Sequence, residues 1–197
     1  METMELIGKR IGFALTGSFC TFSKVMKELE KLTELGADVY PIMSETAWTT
    51  DTRFGPAKDF IEKAENLTGK KVIHTIKDAE PIGPKALLDA LVIAPCTGNT
   101  LAKLSAAITD SGVLMAAKAT LRNNRPVIIA VSTNDGLGAG AKNLGFLLAR
   151  KNIYFVPFRQ DDPVNKPDSL VADMTLIEET LKNALDGYQI QPRLIVR

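Results

Sequence analysis

The stretch Leu91–Ser111, LVIAPCTGNTLAKLSAAITDS, predicts a strand, a polar turn and a helix in succession. Its first four residues form an apolar run of the kind carried by buried parallel strands. Pro95 is expected to end the strand, because proline cannot donate to a sheet ladder. From Leu101 the apolar side chains follow the helical period, with Leu104 and Ile108 on the same side. The remaining residues of the sequence can be placed around this unit.

The turn between that strand and helix carries several groups that bind anions. Thr97 and Thr100 supply hydroxyls, and Asn99 supplies an amide. The first N–H groups of a helix have no partner within it, and they attract phosphate. Lys103, in the first turn, either adds a positive charge or points to solvent. A simple helix cap is the alternative interpretation, although one cap needs fewer polar side chains than the turn contains.

Composition limits the class of protein. The chain has 197 residues, a formal net charge of +1 and 45% hydrophobic residues, which predicts one domain, 1–187, followed by a tail, 188–197. The charge balance gives no basic surface for nucleic acid, and no apolar run is long enough to span a membrane. The first ten residues include Glu2 and Glu5 and lack the apolar core of a signal peptide, so a cytoplasmic protein is expected. Two cysteines make neither a disulfide framework nor a metal site.

Apolar runs alternate with helical patterns along most of the chain. This alternation predicts a three-layer, Rossmann-like α/β fold whose parallel sheet has six strands in the order 3-2-1-4-5-6. A last helix is expected to begin at Ser169. The predicted strands are 10–15, 39–43, 71–76, 91–94, 127–131 and 153–156.

Four of the predicted strands end in small polar residues. These ends are Thr16–Ser18, Ser44–Thr46, Thr97–Thr100 and Ser132–Asn134. In open parallel sheets, ligands bind beyond the carboxyl ends of the strands, so four polar ends at one edge indicate a binding site. Taken alone, Thr16–Ser18 is equally well explained as a helix cap. Neither the glycine fingerprint of dinucleotide sites nor a P-loop is present.

Other chemically active residues have alternative interpretations. His74 falls inside a predicted strand, which favours a structural role over catalysis. Cys20 and Cys96 lie beside predicted ligand loops. The commoner role for such cysteines is as small side chains packed in the core, and a nucleophilic or redox role is the alternative. Trp48 and Phe54 either close over an aromatic ligand or pack on a neighbouring subunit.

Three motifs resemble the FMN-binding flavoproteins, the family of cysteine decarboxylases and flavin prenyltransferases. They are TGS at 16–18, APCTGNTLAK at 94–103 and AVSTN at 130–134. The family pattern A-P-x-T-x-N-T-x-A-K is matched at every fixed position, whereas P-x-M-N is matched only at Asn134. The resemblance implies FMN as cofactor and Asn134 as a catalytic candidate. The cofactor-binding residues that it implies are Gly17, Ser18, Phe19, Ser44, Thr46, Thr97, Asn99, Thr100, Ser132 and Asn134.

The chain also departs from the decarboxylases of that family. Their catalytic histidine is replaced by Pro81–Pro84, and no cysteine follows Cys96, so cysteine decarboxylation is disfavoured. A closer match within the family, over 131–137, 141–145 and 152–163, implies an oxidoreductase built from two different subunits. That match implies a small dicarboxylate substrate, with FMN or NAD(P) as electron acceptor. Lys103 and Arg53 are the candidate cations for the substrate, and the family implies a homo-oligomer, a trimer or larger.

Overall fold

The central parallel strands form where the apolar runs were found. The computed structural model describes residues 6–196, so the predicted absence of a signal peptide, which rests on Glu2 and Glu5, lies outside the described residues. Five parallel strands lie in the order β2-β1-β3-β4-β5, and β3 is buried along its whole length. They are β1 (Arg10–Leu15), β2 (Asp38–Met43), β3 (Ala90–Cys96), β4 (Val127–Thr133) and β5 (Ile153–Phe155).

Helices cover both faces of this sheet, as the alternation of patterns predicted. They are α1 (Phe22–Glu34), α2 (Glu45–Thr49), α3 (Ala57–Thr68), α4 (Ile76–Ala79), α5 (Gly98–Ser105), α6 (Gly112–Arg122), α7 (Ala141–Leu148) and α8 (Ile177–Leu185). The first helix packs against α3 and α8 on one face, and α6 packs against α4 and α5 on the other. The Rossmann-like fold class is therefore confirmed. Among residues 6–196, no helix is both long and apolar enough to cross a bilayer.

The prediction of six parallel strands is wrong in two places. The predicted strand 71–76 is reduced to one parallel bridge between Ile42 and Ile73, so its position beside β2 is right but its extent is not. Thr75 ends it, because its hydroxyl accepts from the Asp78 N–H at 3.1 Å and caps α4. Two short strands, β6 (Phe158–Arg159) and β7 (Leu170–Ala172), were not predicted. They pair antiparallel to each other, and β7 pairs antiparallel to β4, so the sheet is mixed.

The boundaries of three other elements also differ from prediction. Ser169 does not begin the last helix, because the buried side chains that follow it belong to β7 and α8 starts at Ile177. Pro95 does not end its strand: the pairing of β3 with β4 shifts register after Ile93, and this irregularity admits a residue without an N–H. Ile108 lies beyond the end of α5 and is 45% exposed.

The C-terminal tail lies along the edge of the sheet. Gln189 Oε1 accepts from the Phe155 N–H at 2.8 Å, and Gln189 Nε2 donates to the Phe155 carbonyl at 2.7 Å. Further along, Leu194 forms a parallel bridge with Phe158. The tail therefore runs as a strand-like segment on the chain's own sheet as far as residue 196.

Candidate functional site

The polar ends of β1 and β3 are joined through one buried hydroxyl. Thr16 is 1% exposed, and its Oγ1 donates to the Pro95 carbonyl at 2.7 Å. The same oxygen accepts from the Thr97 N–H at 3.0 Å. Thr16 therefore satisfies two backbone groups at the start of α5. It fixes the turn after β3 relative to the turn after β1.

Thr97 begins α5 and caps it. Its Oγ1 accepts from the Thr100 N–H at 3.2 Å and donates to Thr100 Oγ1 at 3.1 Å. The first backbone bond of the helix runs from the Leu101 N–H to the Thr97 carbonyl. The N–H groups of Gly98 and Asn99 precede that bond, so they are available to a ligand at the helix N-terminus. Thr97 therefore caps the helix, and the N–H groups of Gly98 and Asn99 still have no partner in the helix.

The ends of β1 and β4 meet through a second hydroxyl contact. Ser18 Oγ lies 2.8 Å from Ser132 Oγ, although 114 positions separate the two residues in the chain. Gly98 approaches the same strand end, and a Cβ there would lie 2.6 Å from Thr133 Oγ1. The close approach of α5 to β4 therefore requires a glycine at this position.

The first cleft at this edge, cleft 1, has a volume of about 480 Å³. Lys24 of α1, Arg159 of β6 and Lys166 of the following loop line it with positive charge. Its acidic member, Asp161, already accepts a hydrogen bond from the Ser169 hydroxyl. The cleft is therefore suited to an anionic ligand. Its other polar lining includes Gly17, Ser18, Cys20, Thr97, Ser132 and Asn134.

The second cleft, cleft 2, adjoins the first and has a volume of about 310 Å³. The two share Gly17 and Thr97, so they form one continuous depression across the edge of the sheet. Lys103 lies in cleft 2, but its ammonium is bound to Asp110 at 2.6 Å. Glu45 also lines this cleft, and the remaining side-chain polar groups are hydroxyls and an amide. Its lining includes Ser44, Thr46, Asn99, Thr100 and Ser111.

The structure brings nine of the ten predicted cofactor residues to these two clefts. Phe19 is the exception: its ring packs against Phe22 at 5.0 Å and lines neither cleft. Ser44 lines cleft 2, and its hydroxyl also caps α2 at 3.2 Å from the Ala47 nitrogen. Of the two predicted substrate cations, Lys103 is paired, and Arg53 stacks over Phe54 at 4.9 Å outside both clefts.

Sequence reasoning missed the cations that actually line cleft 1. Arg159 and Lys166 fall in a segment whose composition indicates only a charged loop, and the helical period places Lys24 on the solvent side of α1. Nothing local distinguishes these residues from other exposed basic residues. The antiparallel pairing of β6 with β7, and of β7 with β4, carries the loop to the site. Their position therefore depends on long-range pairing that no motif announces.

Of the remaining candidates, Trp48 and His74 pair with each other, Cys96 is unreactive, and Cys20 lies in cleft 1. Trp48 stacks on His74 with ring centroids 3.9 Å apart and an interplanar angle of 2°, so both rings have an internal partner. Burial raises the pKa of Cys96 to about 12, which keeps its thiol protonated at neutral pH. Cys20 is exposed and lines cleft 1. Residues 6–196 contain no cluster of three or more metal-ligating side chains.

Comparison with known proteins agrees with this geometry. A family model described as Flavoprotein matches residues 2–179. The chain is 53% identical to the dipicolinate synthase B subunit of Bacillus subtilis (strain 168) over 191 residues, which cover 97% of this chain and 96% of that protein. The crystal structure of the dipicolinate synthase B subunit from Bacillus halodurans C is 50% identical, with a TM-score of 0.91 over 98% of this chain and 100% of that one.

A more distant structure shows how widely the fold is used. The FMN-dependent cysteine decarboxylase SpaF matches with a TM-score of 0.66 over 92% of this chain and 97% of that one, at 21% identity. At that identity the likeness establishes the shared fold and leaves the chemistry open.

Proposed function

The chain belongs to the Flavoprotein family, and on that premise we propose that it is the FMN-binding subunit of a two-subunit oxidoreductase that forms dipicolinate from dihydrodipicolinate. The observation that carries the proposal is 53% identity over 97% of the chain to a dipicolinate synthase B subunit. The proposed partner is the corresponding A subunit of dipicolinate synthase, in the cytoplasm of a sporulating bacterium. A homo-oligomer of three or more copies remains a prediction from the family.

The residues of cleft 2 fit the phosphate and ribityl portion of FMN. Asn99, Thr46 and Thr100 place an amide and two hydroxyls in the cleft, and the N–H groups of Gly98 and Asn99 open at the N-terminus of α5. Such donors, together with the helix dipole, favour a phosphate group. Bound FMN supplies a two-electron acceptor. These donors are neutral, and the Lys103 charge is paired with Asp110.

Cleft 1 supports a dicarboxylate substrate. Aromatising the dihydro ring removes two electrons and two protons, and the two carboxylates of the substrate remain throughout. Lys24, Arg159 and Lys166 supply the positive charge that such a ligand requires, in place of the predicted Lys103 and Arg53. Asn134 lies at the end of β4 on the same cleft, where its amide can orient the ring. We therefore place Asn134 and Ser132 on the substrate side of the site.

Flavin binding is tested directly by titrating the purified chain with FMN and following flavin fluorescence. We expect Asn99→Ala to weaken FMN binding about tenfold, the effect of losing one hydrogen bond to a charged group. The matched control is Asn183→Ala, because the Asn183 amide donates to the Glu179 carbonyl on α8, away from both clefts. No FMN binding by the native chain, or equal weakening in both variants, contradicts the proposal.

One observation favours a second candidate, a non-catalytic subunit that stabilises its A-subunit partner. The hydroxyls of Ser18, Ser44 and Thr97 are already engaged within the chain, as they would be in a purely structural edge. Turnover of the complex with Asn134→Ala separates the two candidates. A flavin-dependent site predicts a large loss of turnover in an intact complex, whereas a structural subunit predicts none. Size-exclusion chromatography establishes that the complex has formed.

A further inference from the structure

A third cleft contains a buried carboxyl group that lacks a partner. Cleft 3 lies between α1 and the segment that follows β7, and its volume is about 290 Å³. Glu28 of α1 lines it and is only 8% exposed. Its Oε2 atom is buried and has no hydrogen-bond partner among residues 6–196. Leaving a buried polar atom unpaired is unfavourable, so an atom of this kind indicates a partner supplied from outside the chain.

The charges around Glu28 favour an anionic partner. Lys24 and Lys27 of α1 and Arg159 of β6 line cleft 3, and none of them forms an ion pair within the described part of the chain. The other acid in the lining, Asp173, accepts from the Thr175 N–H and hydroxyl at its Oδ1, and its single negative charge is outnumbered by the three cations. Three cations without an ion pair in that part of the chain therefore line the same cleft as the unpartnered carboxyl group. A cationic ligand would be repelled from this cleft.

Glu28 can serve such an anion as a hydrogen-bond donor. Burial raises the pKa of Glu28 above its ordinary value; Lys31 opposes the shift, while Glu178 and Asp173 add to it. The opposing charge of Lys31 is itself bound to Glu178 at 2.8 Å. Glu28 thus keeps its proton to higher pH than an exposed glutamic acid does. A protonated carboxyl group donates one O–H bond.

We propose that cleft 3 is an anion-binding site in which Lys24, Lys27 and Arg159 attract a carboxylate or phosphate group and Glu28, in its protonated form, donates a hydrogen bond to it. Clefts 1 and 3 share Lys24 and Arg159, so an anion in cleft 3 is expected to compete with a ligand in cleft 1 for the same two cations. The proposal does not depend on bound flavin. It can therefore fail or succeed independently of the proposed oxidoreductase activity.

Two lysines make a matched pair for the test, because Lys27 lines only cleft 3 and Lys166 lines only cleft 1. The full chain without cofactor is titrated separately with inorganic phosphate and with acetate, by calorimetry and by backbone NMR shifts. We expect Lys27→Gln to weaken binding of the preferred anion about fivefold, with amide shifts at 171–175, and Lys166→Gln to change it less than about twofold. The two probes distinguish phosphate from carboxylate as the natural ligand group.

The contrary results are equally definite. Absence of binding for both probes overturns the proposal. So does a loss in Lys166→Gln as large as the loss in Lys27→Gln, since the anion would then occupy cleft 1. Both lysines are exposed, and neither is in an ion pair within residues 6–196, so folding of the two variants is expected to be unchanged.

The role of Glu28 has its own readout in the pH dependence of anion binding. In the native chain, affinity is expected to fall as pH rises through the pKa of Glu28, because the ionised carboxylate repels the anion. Glu28→Gln keeps a donor at every pH and should not show this fall. The titration of the probe is common to both proteins, so the difference between their profiles isolates Glu28. Identical profiles would overturn its role as a donor.

Discussion

Thr16 shows how much of the site depends on one hydroxyl group. Its oxygen accepts from the N–H of Thr97 and donates to the carbonyl of Pro95. These backbone groups lie beyond the last paired residues of β1 and β3, Ala14 and Ile93. Both groups lie beside the N-terminus of α5, where the phosphate of FMN is proposed to bind. Stability and ligand affinity are therefore expected to depend on the same side chain.

Replacing Thr16 with valine should leave both backbone groups without a partner. We expect Thr16→Val to lower the free energy of unfolding by about 2 to 4 kcal/mol, measured by urea denaturation. Thr120→Val is the control, because the Thr120 hydroxyl donates to the Ala116 carbonyl of its own helix, which is already bonded within α6. The control should lose less than about 1 kcal/mol. Equal losses in the two variants would mean that the Thr16 bridge adds no special stability.

Individual site residues were predictable where the signal was local. Thr97, Asn99 and Thr100 fall on one turn after an apolar run, and that turn is where the structure places them at a cleft. Arg159 and Lys166 reach the site only through the pairing of β6 and β7, which is set by distant residues. Site residues that are adjacent in the chain can be recognised as a motif, whereas residues that only the folded sheet brings together cannot.

At the level of elements, the outer edge of β5 is completed by a side chain in place of a strand. The Gln189 amide pairs with both the N–H and the carbonyl of Phe155, as a neighbouring peptide group would. Edge strands with free backbone groups invite pairing with other chains. The tail therefore both ties down the C-terminus and covers part of an edge.

Gln189→Ala should expose that part of the edge. We expect a loss of about 1 to 3 kcal/mol in the free energy of unfolding, because two backbone groups of Phe155 lose their partners. Amide hydrogen exchange at Phe155 should accelerate at the same time. Tyr188→Ala is the neighbouring control, since Tyr188 is 62% exposed and its removal should cost less than about 0.5 kcal/mol. Unchanged exchange at Phe155 would show that the amide pairing does not protect the edge.

Two elements were misassigned because short-range patterns compete. The segment after Ser169 has apolar spacing that suits a helix, yet Leu170 and Ala172 face the core as alternate residues of β7. Asp173 instead caps a 3-10 turn, Met174–Leu176, that leads into α8, and its carboxylate accepts from the Thr175 N–H at 3.1 Å. In the same way, the Thr75 cap outweighs the strand propensity of 71–76. In both places a capping side chain ends one element and begins the next, so the apolar pattern alone misplaces the boundary.

For the whole molecule, one carboxylate links the amino ends of three central strands. Asp89, just before β3, accepts from the Arg10 backbone N–H at 3.0 Å and from Arg10 Nη2 at 2.9 Å. Arg125, just before β4, approaches the same carboxylate at 4.0 Å. Burial opposes ionisation of Asp89, but the hydrogen bonds and charge of Arg10 outweigh it and lower the pKa of Asp89 below its ordinary value.

The lowered pKa of Asp89 determines how the free energy of unfolding changes at acid pH. A depressed pKa means that Asp89 contributes stability above the ordinary aspartate pKa of about 3.9 and loses it as pH falls through the lower value in the folded chain. Asp89→Asn should therefore cost about 1 to 3 kcal/mol at pH 7, with a difference from the native chain that disappears towards pH 2. Denaturation across pH measures it, with exposed Asp186→Asn as control. A difference that persists at low pH would assign the effect to packing. FMN affinity should be unaffected, because Asp89 lies at the amino-terminal ends of the strands and the clefts lie at their carboxyl-terminal ends.

The contact between Ser18 and Ser132, 114 positions apart, has a consequence for protein synthesis. A chain emerging from the ribosome presents the turn after β1 early, but cleft 1 is completed only when β7 has emerged and paired with β4. Because that pairing uses Val171 and Leu170, a nascent or prematurely terminated product ending before them has no complete cleft 1. Capture of an anionic ligand in cleft 1 is thereby restricted to chains that are almost fully made, whereas cleft 2, whose lining ends at Leu114, can form earlier in synthesis.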